Sequence, residues 1–156
     1  MTTRRPRDLT DTVGLLVEAA GYVREQVTAD IERGTGLPPA WFETLIRLRR
    51  TPGQNARITE MAARIGFPQS SFSRLVDQME AAGLIERTPD PTHRRATLIR
   101  ATAVGAKRLD DALSTYLDSS HRHVADILTD DDLDHLERIT RKLHSANLPA
   151  RPAGTA

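Results

Sequence analysis

Two short stretches of this chain concentrate side chains that can recognise a charged polymer. Gln69, Ser70, Ser71, Ser73 and Arg74 fall within six consecutive residues. On a helix they form a polar leading face, with Phe72, Leu75, Val76 and Met79 on the other side. A glutamine amide can read adenine through two hydrogen bonds. A serine hydroxyl can contact bases or phosphates, and an arginine can read guanine or grip phosphate. The second stretch runs from Arg87 to Arg100, where four arginines face one acid, Asp90. The bland reading of both is a solvated helix face and a hairpin edge charged for solubility.

Other chemistries find little to stand on. The chain has no cysteine, which excludes disulfides, thiolate metal sites, a cysteine nucleophile and thiol redox sensing. His121 and His123 would point about 200° apart on a helix and could not share an ion locally. With His135 and His144 they read as surface or interface residues, so no metal site is predicted. Asp130, Asp131 and Asp132 read as a helix cap, and Gly34-X-Gly36 lacks the third glycine and preceding strand of a nucleotide loop. There is no zinc-protease motif, serine elbow or phosphate-binding lysine loop. The expectation is a protein that is not an enzyme, with no catalytic residues and no cofactor. No apolar run approaches the ~18–20 residues of a membrane span. Arg4-Arg5 is not followed by an apolar targeting segment, so no membrane partner and a cytoplasmic location are expected.

The elements that must position the two polar stretches follow from periodicity. Residues 1–9 read as a mobile basic arm. An apolar stripe of Val13, Leu16, Val17, Ala20, Val23, Val27 and Ile31 marks a helix that Thr10 or Asp11 can cap and Gly34-Thr35-Gly36 stops. Leu37-Pro38-Pro39 starts a second helix running to Arg50. Thr59 to Ile65 and Gln69 to Ala82 are two helices separated by Gly66-Phe67-Pro68. The first is too short to stand alone, so the pair reads as a helix-turn-helix. Leu84 to Thr88 and Ala96 to Arg100 read as strands about a turn-rich tip, and Ala56-Arg57-Ile58 offers a third. Thr102 opens a long helix with an apolar face from Leu109 to Leu128. Thr129 to Asp132 resembles a capping box before a last helix bearing Leu133, Leu136, Ile139 or Thr140, and Leu143. The tail from Ser145 reads as frayed.

The fold expected is mainly α with a small β-wing. A flexible basic arm (1–9) and an N-terminal dimerisation helix (10–37) precede a winged helix-turn-helix DNA-binding domain (38–101). C-terminal dimerisation helices (102–145) and a flexible tail (146–156) follow. A lone winged helix has no need of such long striped helices on both sides, which suggests burial against a second copy.

Arg74 to Arg87 (RLVDQMEAAGLIER), then the arginine-bearing wing, then Thr102-Ala103-Val104-Gly105, resemble the multiple antibiotic resistance regulator (MarR) family of bacterial transcription factors over about Leu37 to Gly105. The resemblance implies a homodimer, a repressor binding a pseudo-palindromic double-stranded DNA operator. The second of the paired helices would lie in the major groove and the wing would reach the minor groove. Arg95 then takes the wing tip, with Arg94 beside it, where the negative potential of a narrow groove favours arginine. The resemblance also implies a pocket for a small, aromatic effector, for which Tyr22, Trp41, Phe42 and Tyr116 are the candidates, Trp41 first among them. The alternatives are an effector-independent DNA-architecture protein and a winged helix used for protein–protein contact.

Two departures from the family pattern stand out. His93 occupies a position that is commonly acidic and helps to hold the wing, which leaves either Asp90 as a substitute or a looser tip. Pro68 replaces the usual serine at the start of the recognition helix and offers no side-chain acceptor, a loss of about 1 kcal/mol relative to a serine cap. The free N–H groups of Ser70 and Ser71 are then candidates to meet a DNA phosphate.

Bulk charge conceals this polarity. Twenty-two basic residues against 21 acidic ones leave +1, whereas residues 87–100 alone carry +3 and Asp130 to Glu137 holds five acids with no arginine or lysine. The apolar share, 38% by the residues AVILMFWYC, is modest and lies in stripes that a dimer would bury.

Overall fold

The computed structural model describes residues 9–93 and 96–147. The expected basic arm (apart from Leu9), the wing arginines Arg94 and Arg95, and the tail beyond Asn147 lie outside the described residues. The elements are α1 (Thr10–Thr35), α2 (Pro39–Arg50), β1 (Asn55–Arg57), α3 (Ile58–Ile65), α4 (Gln69–Ala81), β2 (Ile85–Pro89), β3 (Thr97–Ala101), α5 (Ala103–His123) and α6 (Asp130–Ala146). The three strands form one antiparallel sheet in the order β1-β3-β2.

Local chemistry explains most boundaries. Gly36 ends α1 in the left-handed region (φ 66°) and returns its amide to the Glu32 carbonyl at 2.8 Å, an arrangement that costs glycine no Cβ clash. Pro39 opens α2 at a position where a missing N–H is harmless. Thr129 caps α6 in a reciprocal box with Asp132, whose carboxyl is held below the usual carboxylate range by the Thr129 hydroxyl and amide.

Several boundaries differ from the expectation. α3 begins at Ile58, with Arg57 rather than Thr59 at its cap, because Asn55–Arg57 is drawn into the sheet opposite Leu98 to Arg100. Neither Thr10 nor Asp11 caps α1; Leu9 stands at the N-cap with no side-chain bond. The wing strands each start one residue later than periodicity suggests. The apolar face expected to run on to Leu128 breaks at His123, and a short 3-10 turn over Ala125–Ile127 intervenes. α6 continues through Ala146, with Asn147 returning its amide to Leu143.

The core has two joined parts. Leu45, Leu48, Met61, Phe72, Val76, Met79, Ile85 and Ile99 are buried where α2, α3, α4 and the sheet meet. Val27, Ile31, Leu109 and Ala112 are buried between α1 and α5. The apolar stripe of α1 outruns this second part: Val13, Leu16 and Val17 are exposed, as is Leu9 at its N-cap, and so are Leu136, Ile139 and Leu143 on α6. No α6 side chain is buried.

Candidate nucleic-acid interface

α3, its turn and α4 are shaped by the split between apolar and polar residues. Gly66 adopts φ 79° and closes α3, and the Phe67 amide returns to the Ala62 carbonyl at 2.9 Å. The chain then reverses and α4 begins at once after Pro68. Phe67 meets Phe72 edge-on, their centroids 6.3 Å apart. Phe72, Val76 and Met79 anchor α4 in the core. That burial fixes what faces outward. Gln69, Ser70, Ser71 and Arg74 are exposed, and Ser73 is half-buried. No side chain caps the start of α4, so this helix end keeps free amides and its positive dipole end beside two serine hydroxyls. Among the described residues Arg74 has no hydrogen-bond or ion-pair partner. The structure thus brings all five predicted residues to one helix start.

The wing beside this helix is held by ion pairs. Arg87, on β2, spans back to Asp77 (2.6 Å) and Glu80, both on α4. Arg100 pairs across the hairpin with Glu86. Two of the four wing arginines are therefore neutralised within the protein, and the charge concentration seen in the sequence overstates what the hairpin offers a partner. The hairpin closes through Asp90 N–H to the Ala96 carbonyl at 3.1 Å and Ala96 N–H to the His93 carbonyl at 2.9 Å.

Of the two ways of holding the wing left open by His93, the structure shows substitution by Asp90. Its carboxylate is nearly buried and accepts from the Thr92 hydroxyl (2.6 Å), the Thr92 amide (2.8 Å) and Arg57 Nε (2.6 Å). These bonds, the Thr92 hydroxyl first and then Arg57, hold its carboxyl far below the usual carboxylate range. Sequence reading did not single out Arg57. The signal available was an arginine on the short strand that pairs with the wing, where a solvated cation has no reason to be.

A cavity of about 580 Å3 lies between α1, α2 and α5. Phe42 and Tyr116, stacked with centroids 5.6 Å apart, form part of its wall, with Arg24, Glu43 and His121 at polar positions. The other two aromatic candidates are not brought there. Tyr22 is exposed on an outer face of α1, beside a second, shallower depression, and Trp41 packs half-buried against the core. His123 does not join His121 either. Its Nε2 lies 3.1 Å from Asp30, which also accepts from Ser119 (2.6 Å) and Arg122 (3.1 Å) and pairs with Arg33. Led by the Ser119 hydrogen bond, these contacts lower the Asp30 pKa to about 2 and lace α1 to α5. His135 lies 3.2 Å from Asp131 on the same face of α6.

The order of elements, the helix-turn-helix and the wing can be compared with known proteins. The profile of the MarR family matches residues 35–96, from the end of α1 to the wing. Over that stretch the chain is similar to the MarR family. It is 27% identical over 113 residues to the transcriptional repressor MprA of Escherichia coli K12, covering 72% of this chain and 64% of that repressor. It is 28% identical over 106 residues to the HTH-type transcriptional repressor NicR of Pseudomonas putida, covering 67% of this chain and 65% of the relative. The matches thus span just under two thirds of these curated relatives. Sco3205, a MarR family transcriptional regulator from Streptomyces coelicolor crystallised in complex with DNA, superposes with a TM-score of 0.73 at 25% identity, over 95% of both chains. That alignment takes in the flanking helices as well as the MarR profile region. Among the described residues no helix is long and apolar enough to cross a membrane.

Proposed function

We propose that this chain is a bacterial transcriptional repressor that binds a pseudo-palindromic operator as a homodimer and answers to a small ligand. The observation that carries it is the start of α4: uncapped, exposed, and bearing Gln69, Ser70, Ser71 and Arg74, which is unpaired among the described residues, on a helix whose other side is locked into the core. Such a helix can enter the major groove end-first, its amides meeting phosphate and its side chains the base edges. Arg94 and Arg95 extend the contact to the neighbouring minor groove. The relatives carry repressor names and one structural neighbour was solved on DNA, which supports the same role.

Residues 38–101 are then the DNA-binding domain. Residues 10–37 and 102–145 supply dimerisation helices, whose bare stripes on α1 and α6 a second copy would cover. The cavity walled by Phe42 and Tyr116 suits a flat apolar ligand, and Arg24 and His121 supply polar handles. Tyr22 and Trp41 stay outside it. A ligand acts by favouring the dimer geometry in which the two recognition helices no longer span one helical turn, ~34 Å. Such a protein works in the cytoplasm by binding and needs no catalysis.

The test is fluorescence anisotropy of the purified chain on the intergenic duplex beside its own gene and on a scrambled duplex, at several salt concentrations. At physiological salt the intergenic duplex is expected to bind at least ~10³-fold more tightly, with a steep salt slope. Equal affinity for both duplexes would overturn the assignment. Adding aromatic metabolites to the complex tests the effector.

A further inference from the structure

We propose that Arg57 is the positioning residue of the wing turn, an internal strut that holds Asp90, Thr92 and His93 in place and does not itself grip DNA. The inference rests on the DNA-binding reading above for its consequence, but its geometry stands alone. Arg57 is the last residue of β1, the strand that pairs with β3 along Arg57↔Leu98. From there its guanidinium crosses to the wing turn. Nε donates to Asp90 at 2.6 Å, and one terminal nitrogen donates to the Thr92 hydroxyl at 3.2 Å and lies 2.8 Å from His93 Nδ1. The other terminal nitrogen faces Glu60 at 3.6 Å.

Every nitrogen of the fork is therefore engaged, and two carboxylates neutralise its charge. An arginine can only donate, so His93 must present Nδ1 as the acceptor. The planar fork suits this task because it reaches Asp90, Thr92 and His93 from one fixed plane, which an ammonium cannot do. The strut at His93 and the Asp90–Ala96 closure together hold the described residues of the wing turn.

The test combines the free protein with its DNA complex. Hydrogen exchange of the free protein compares wild type with Arg57→Gln. Amides of residues 90–96 are expected to lose protection while α1 and α5 peptides keep theirs; unchanged wing protection overturns the proposal whether or not the protein binds DNA. On the intergenic duplex, Arg57→Gln is expected to weaken binding about as much as Arg94→Ala with Arg95→Ala, and the triple variant to lose nothing further. Full additivity would instead make Arg57 an independent phosphate contact. Two further variants guard against misfolding, checked by thermal midpoint. Arg57→Lys keeps the charge but loses the fork, and is expected to fall with Arg57→Gln; wild-type affinity there refutes the strut. Asp90→Asn releases the Arg57 charge, and is expected to weaken binding; a gain in affinity refutes it equally. Wild-type protein that shows no preference for the intergenic duplex overturns the repressor assignment, while the exchange result still decides the strut.

Discussion

Gly105 lies so close to Leu84 that a Cβ built on it would stand 1.9 Å from the Leu84 carbonyl oxygen. The contact joins the first turn of α5 to the chain between α4 and β2. It is reinforced by the Thr102 amide on that same carbonyl (3.0 Å) and by the Thr102 hydroxyl on Gly83 O (2.6 Å). The base of α5 is thus bonded directly to the chain that leaves α4.

Gly105→Ala is expected to destabilise the protein by about 2–4 kcal/mol, because the obstacle is backbone that must shift as a unit. Urea denaturation followed by circular dichroism measures this. A loss below about 0.5 kcal/mol would show that the joint can yield.

Phe72→Ala removes a fully buried ring that fastens α4 to the core, and is expected to cost about 3–5 kcal/mol. The same denaturation experiment reads it. Ser71→Ala, one residue away but exposed, is expected to leave stability within about 0.5 kcal/mol while weakening DNA binding.

Replacing Arg94 and Arg95 by alanine is expected to lower affinity for all duplexes alike and to reduce the magnitude of the salt slope by about 2, one for each arginine withdrawn from the phosphates. Arg74→Ala should instead change which duplex is preferred if it touches a base. Competition binding against a small library of altered duplexes separates the two patterns.

The Asp30 cluster predicts an acid limb. Its folded pKa, lowered from 3.8 to about 2, means that the deprotonated form is stabilised in the native state. The contribution is fully present above the unfolded value and is lost as pH falls from about 4 toward 2. Asp30→Asn is expected to flatten the fall in thermal midpoint over that window and to leave the shape of the curve unchanged near neutrality. An identical acid limb in the variant would place the dependence elsewhere.

Leu136→Asp with Leu143→Asp changes two exposed α6 residues. Light scattering is expected to show the mass of a dimer for wild type and of a single chain for the variant, with the winged-helix core still folded. A variant that stays dimeric would move the interface away from α6.

Much of this was legible in the residues. The order of elements, the Thr129 capping box, the Gly36 stop and the outward face of α4 all follow from short-range patterns, because caps, glycines and 3.6-residue periodicity act within a few positions. What was not legible depends on partners distant in sequence. Arg57 meets Asp90 across 33 positions, and Arg87 is withdrawn from the apparent wing charge by Asp77 and Glu80 of another element. Tyr22 shows the same limit. Its ring lies on a helix correctly foreseen, but which way that helix turns its face depends on α5, which lies some ninety positions further along the chain.

α6 has one more consequence. Seventeen residues long, with no side chain fully buried in its own protomer and only Leu133 half-buried, it leans mainly on its capping box and local ion pairs, and an isolated helix of modest length is only marginally stable in water. Under the dimer proposed above, its folding is tied to pairing and its order to how many copies the cell holds. In that reading a freshly made chain that has not met another exposes a fraying end to proteases, while a paired one does not. Turnover then acts as a threshold, clearing solitary subunits and setting a floor of expression below which little regulator accumulates.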